Sequence, residues 1–99
     1  MKQGTLESEI KKEIKDYIEE IGGFRSAVAG GAYSKPGDPD LIACINGRFV
    51  GIEGKTPSGR ISQAQLERKE EIEHANGYYL IVRSKADFID QIQALRIVQ

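Results

Sequence analysis

The chain is poor in the residues that build disulfides and zinc cages: it has one cysteine, Cys44, and one histidine, His74. An internal disulfide and a Cys/His zinc site are both excluded. Cys44 falls in the apolar run Leu41 to Ile45, where the ordinary role of a free thiol is that of a small buried hydrophobe. His74 stands among charged residues late in a helical stretch, the setting of a solvated or helix-terminal imidazole rather than a catalytic base. No apolar run approaches the roughly 20 residues of a membrane span. The opening Met1-Lys2-Gln3-Gly4 lacks the apolar stretch of a secretory signal, so the expected location is the cytoplasm. An excess of one charge is missing too: 14 Lys and Arg stand against 15 Asp and Glu, a net charge of −1. That is unlike the strongly basic composition of many DNA binders. It leaves room for a local basic patch, and for an acidic cluster whose sign bound metal ions would reverse.

What is present is a soluble globular composition, 39% hydrophobic and 29% charged in 99 residues. This length makes a single domain, residues 1–99, with a small core that invites stabilisation by oligomerisation. Residues 5–21 carry Leu6, Ile10, Ile14, Tyr17, Ile18 and Ile21 at helical spacing. Thr5 is the expected N-cap, and Gly22-Gly23 ends the helix. A short strand is expected over 24–28, and the segment 29–39 is too rich in Gly and Pro to be regular. Two apolar strands, 41–45 and 48–52, flank Asn46-Gly47, a strong hairpin signal. Ser62-Gln63-Ala64-Gln65 opens a second helix with a capping-box pattern, closed near Asn76-Gly77. Tyr78 to Val82 is apolar throughout and is expected to be central in the sheet. Ser84 caps a last helix, 85–95. The order is αβββαβα, an α/β fold.

The hairpin serves as a ruler. In a two-residue type I′ turn at Asn46-Gly47, Ile45 pairs with Arg48, and the same register sets Asp40 opposite Glu53. Their Cβ atoms are then expected about 5 Å apart on one face. Lys55, two residues beyond Glu53, shares that face. Directly opposed carboxylates destabilise a sheet, and a divalent cation is the natural reason for them, since Mg²⁺ takes one or two carboxylates and keeps waters for chemistry. The plainer alternative is that Glu53 and Lys55 are edge-strand charges on a solvated face. The Pro39-Asp40 step and the apolar remainder of both strands weigh against it.

Taken in order, Gly37-Asp38-Pro39-Asp40-Leu41, then Glu53-Gly54-Lys55, then Gln65 resembles the VRR-NUC branch of the PD-(D/E)xK nucleases, in the manner of a stand-alone phage-type member. The resemblance spans nearly the whole chain. It implies a restriction-endonuclease-like αβββαβ core, a mixed central sheet flanked by helices. It also implies Mg²⁺-dependent phosphodiester hydrolysis leaving a 5′-phosphate, with Mn²⁺ as a substitute. By that resemblance Asp40 and Glu53 ligate the metal, Gly54 lends its backbone carbonyl, and Lys55 is catalytic. Gly54 replaces the bulky aliphatic usual at that place, which leaves the carbonyl but loosens the strand.

The family also carries an acid on the first helix. Glu7 lies on the flank of the face defined by Ile10, Ile14, Ile18 and Ile21, whereas Glu9 is more than about 100° from its centre. Glu7 is therefore the candidate, a possible metal ligand, with a first-turn acid favoured by the helix dipole as the alternative. Gln65 is either the N3 closure of a capping box or an active-site residue. Lys35, Arg60 and Arg25 are the candidate nucleic-acid contacts, with Lys69 and Arg83 behind them; such contacts to phosphate do not read sequence.

Nothing resembles a recognition helix or zinc finger. The expected function is a structure-selective DNA endonuclease, with four-way (Holliday) junctions as the specific candidate. Members of this branch without extra domains resemble phage-type enzymes and Holliday-junction resolvases that work as symmetric dimers, which implies a homodimer here, in a host's cytoplasm if the chain is phage-encoded. The expected homodimer surface draws on Phe88, Ile89, Ile92, Leu95, Ile97, Val98 and Tyr33. The alternatives are a non-catalytic DNA- or protein-binding module on a degenerate nuclease fold, and a nuclease acting on RNA.

Overall fold

The computed structural model of the protein describes residues 6–28 and 35–99. Along the chain run α1 (Leu6–Glu20), β1 (Phe24–Ala27), β2 (Leu41–Ile45), β3 (Arg48–Gly54), α2 (Gln63–His74), β4 (Tyr78–Val82) and α3 (Lys85–Ala94). This is the αβββαβα order expected. Thr5, assigned as N-cap of the first helix, and Tyr33 lie outside the described residues.

Among the described residues four strands form one sheet in the order β1-β2-β3-β4. The first two pairings are antiparallel and β3–β4 is parallel, so the sheet is mixed. The β2–β3 register joins Ile45 to Arg48 and Leu41 to Ile52, which is the register derived from a two-residue turn. Asn46 and Gly47 both have positive φ, 52° and 78°, the requirement of type I′.

Alternation sends Leu41, Ala43, Ile45, Val50, Ile52, Leu80 and Val82 to one face. There they meet Ile10, Ile14 and Ile18 of α1 and Phe88, Ile92 and Ile97 of the C-terminal segment. The opposite face is covered by α2, which packs on β4. There Tyr79 is fully buried.

Three expectations change here. β4 is an edge strand and not a central one. It is apolar because α2 and α3 cover its two faces. The Lys69 ammonium and the Gln91 amide cap its carbonyls at Tyr79 and Ile81, at 2.9 and 3.0 Å, so even the edge is partly satisfied. Cys44 is exposed and not buried, because it points to the α2 face of β2. Phe24 and Phe49 are its register partners on β1 and β3, and both are exposed as well. Among the apolar residues considered for a dimer surface, Phe88, Ile92 and Ile97 are fully buried in the core. Leu95 is exposed. His74 is exposed in the last turn of α2, as expected. No helix among the described residues is long and apolar enough to cross a membrane.

Candidate active site

The site forms where β2 begins and β3 ends, beside the first turn of α2. Asp40 immediately precedes β2, and its carbonyl accepts the Val28 amide at 2.9 Å. The turn before it is tied down on several sides. Asp38 Oδ2 accepts the Lys35 amide at 2.9 Å, and Asp38 Oδ1 accepts Arg68 Nε at the same distance. The Tyr79 hydroxyl donates to the Gly37 carbonyl at 2.8 Å. Gly37 has φ +90°, and a Cβ there would stand 2.1 Å from the Ala64 carbonyl oxygen. Only glycine lets the turn lie this close to α2. The consequence is that Pro39-Asp40 enters β2 from a fixed direction.

Glu53 is the one charged residue that is buried among the described residues, with 6% of its surface exposed. Its Oε2 accepts from the Gln65 amide at 3.0 Å, and Lys55 Nζ lies 4.0 Å from the same oxygen. Its Oε1 is buried with no hydrogen-bond partner among the described residues. Burial, and then the Asp40 charge, push the Glu53 carboxyl up to about 7, against the pull of Lys55 and of the Asp40 main chain. A buried, half-satisfied carboxylate facing a second one is an unstable arrangement unless a cation joins it. Burial, reinforced by the carboxylates of Glu53, Asp40 and Asp38, likewise pushes the Tyr79 phenol up, so it remains a proton donor to Gly37.

Gln65, expected either in the cap or in the site, serves both. Its Oε1 accepts from the Ser62 amide at 3.0 Å, closing the capping box, while its Nε2 donates to Glu53. An amide has two ends, and helix α2 presents one to each task.

Lys55 extends past the strand, and its amide donates to the Val82 carbonyl at 2.8 Å. The following loop is fixed by Arg83, whose Nη1 donates to the carbonyls of Thr56, Pro57 and Gly59 at 2.7, 3.3 and 2.9 Å. Arg83 is thus a loop anchor, and Lys69, paired with Glu73 at 2.7 Å, caps β4. Neither is thus free for the phosphate contact that its sequence position suggests. Arg25 is paired with Glu19 at 2.7 Å. Lys35 and Arg60 lie exposed in the loops on either side of the site. Neither side chain makes an ion pair among the described residues.

Glu7 lies on the flank of α1 nearest the site, joined to it through Lys11, a residue that is not among the sequence-derived candidates. Lys11 Nζ is 3.6 Å from Asp40 Oδ2 and 4.0 Å from Glu7 Oε1. Its stem covers Gly54, where a Cβ would meet Lys11 Cγ at 3.1 Å. The glycine between Glu53 and Lys55 therefore reflects the close approach of α1. The available signal was spacing: Lys11 follows Glu7 by four residues, only about 40° further round the helix.

The carboxylate oxygens of Asp40 and Glu53 are hard donors that fit Mg²⁺ or Mn²⁺, and the orphaned Glu53 Oε1 is what an added cation would satisfy. Among the described residues no group of three or more His, Cys, Asp or Glu side chains is gathered to hold an ion. The side-chain donors in place are this pair, within the one or two carboxylates that Mg²⁺ usually takes.

No family model matches the chain, and no curated protein matches it at a significant level. Two solved structures share its fold. One is described as a VRR_NUC domain, with TM-score 0.75, 21% identity, and coverage of 91% of this chain and 96% of that one. The other is Hjc, a Holliday junction resolvase from Archaeoglobus fulgidus, with TM-score 0.60, 16% identity, and coverage of 78% and 67%. The chain thus has the restriction-endonuclease-like fold of a VRR_NUC domain, with Asp40, Glu53 and Lys55 gathered at one end of its sheet.

Proposed function

We propose that residues 1–99 form a single nuclease domain, a divalent-metal-dependent, structure-selective DNA endonuclease that hydrolyses phosphodiester bonds. The observation that carries this reading is Glu53, buried with one oxygen unpartnered, beside Asp40 and Lys55. Similarity of fold to a VRR_NUC domain and to a Holliday junction resolvase supports it. Asp40, Glu53 and the Gly54 carbonyl would hold Mg²⁺, or Mn²⁺ in its place, with Glu7 as a further possible ligand. When bound, the ion supplies an activated water and neutralises charge on the phosphate. Lys55 stabilises charge developing on the phosphoryl oxygens. Gln65 fixes the direction of the Glu53 carboxylate. Lys35 and Arg60 bind backbone phosphates without reading bases, and Arg25 contributes less because Glu19 already pairs it.

The substrate is branched or duplex DNA, with the four-way junction as the specific candidate, and the working unit is a homodimer acting in the cytoplasm. Two strands need two active sites, and closed twofold pairs are the commonest assembly. The test is cleavage of junction, flap, duplex and single-stranded DNA, and of RNA, with Mn²⁺. Junction cleavage lost in Lys55→Ala and in Asp40→Asn is the expected result. No cleavage of any substrate, with no Mn²⁺-dependent rise in melting temperature, identifies a non-catalytic module. Preferential cleavage of RNA identifies a ribonuclease.

A further inference from the structure

We infer that Lys11 is a built-in counterion that occupies Asp40 while metal is absent, and that a metal ion must displace it in order to bind. The inference rests on the reading of Asp40 as a metal ligand. Lys11 Nζ stands between two carboxylates, 3.6 Å from Asp40 and 4.0 Å from Glu7. Lys55 lies 4.0 Å from Glu53. Each lysine is thus set against a different site carboxylate. The Lys11 stem rests on Gly54, and any larger residue there would crowd it at Cγ. The ammonium is carried to Asp40 by packing of its methylenes as well as by charge.

The arrangement has two effects. Lys11 lowers the repulsion between Asp40 and Glu53 in the metal-free fold, and it presents the incoming cation with a like charge at Asp40. It also engages Glu7, the acid on α1 nearest the site. About a quarter of the Lys11 side chain is exposed, 28%, so the ammonium can swing out without unpacking α1. Lys11 and Asp40 line the same surface cleft, together with Lys15.

The test is Mn²⁺ affinity without DNA, measured by calorimetry for the wild type, Lys11→Met, Lys11→Arg and Asp40→Asn. Methionine keeps the stem over Gly54 and removes the charge. Lys11→Met should bind Mn²⁺ about three- to tenfold more tightly, the scale of one partly exposed ion pair. It should also melt at a lower temperature without metal, and gain more from added Mn²⁺. Lys11→Arg should bind no more tightly than the wild type. Wild-type binding that depends on Asp40, together with Lys11→Met binding no tighter, overturns the counterion role and leaves the metal site standing. Binding in the wild type that Asp40→Asn does not weaken overturns the metal-site reading, and the counterion role with it.

Discussion

The side chain of Gln65 links helix α2 to Glu53: Nε2 donates to Glu53 Oε2 at 3.0 Å while Oε1 accepts from the Ser62 amide. The cap fixes which end of the amide meets the carboxylate. An oxygen must face the Ser62 N–H, so a donor is left facing Glu53. The same residue thereby starts a helix and orients a candidate ligand. Gln65→Ala should lower stability by about 1 kcal/mol, the usual scale of a lost cap, and should also weaken Mn²⁺ binding. Gln65→Glu keeps the cap but turns a carboxylate oxygen toward Glu53, so it should lower metal-free stability at neutral pH more than at pH 5. Thermal melts with and without Mn²⁺ distinguish the two.

Glu53 gives the protein a distinctive pH dependence. Its carboxyl is raised from 4.5 to about 7 in the folded chain. Between those values the folded state holds a proton that the unfolded state has released. Its contribution to stability is therefore complete below pH 4.5 and is lost as pH rises to about 7. Glu53→Gln mimics the protonated form. Without metal, it should match the wild type near pH 4 and exceed it at pH 8 by up to about 3 kcal/mol. Urea unfolding at both pH values measures this; equal differences at the two would place the Glu53 pKa at its ordinary value.

Metal binding should follow the opposite trend. A cation needs the ionised carboxylate, so Mn²⁺ affinity should climb as pH rises toward about 7 and level off above it, as the raised Glu53 carboxyl ionises. Calorimetric titrations at pH 5.5, 6.5 and 7.5 test this. A flat profile would remove Glu53 from the ligand set.

Gly37 should resist substitution. Gly37→Ala combines φ +90° with a Cβ only 2.1 Å from the Ala64 carbonyl oxygen. It should lower stability by more than about 2 kcal/mol and should reduce cleavage further by shifting Pro39-Asp40. Gly47→Ala, also at positive φ but with nothing near its Cβ, should destabilise less and leave the site intact. Melting temperatures and activities of the two variants provide the comparison.

The dimer is tested by sedimentation equilibrium at micromolar concentration. A mass twice that of the 11.0 kDa chain is expected. A monomer would mean that paired cuts need a second copy recruited on the DNA.

The sequence by itself determined the features that depend on near neighbours along the chain. Asn46-Gly47 set the hairpin register, which pairs Leu41 with Ile52 and so brings Asp40, just before β2, near Glu53 at the end of β3, because two positive-φ residues admit one tight turn. Ser62 and Gln65 marked the start of α2, and the spacing of Ile10, Ile14 and Ile18 marked the buried face of α1. Tertiary structure decided which surfaces are covered and what reaches across between elements. An apolar strand reads alike whether other strands or two helices surround it, so β4 looked central and lies at the edge. Cys44 read as buried and is exposed, because no local pattern says how far across the sheet α2 extends. The burial of Glu53, the second task of Gln65 and the approach of Lys11 to Asp40 arise from packing between elements distant in the chain. Such packing is a property of the assembled fold, whereas turns and caps are set by a few consecutive residues.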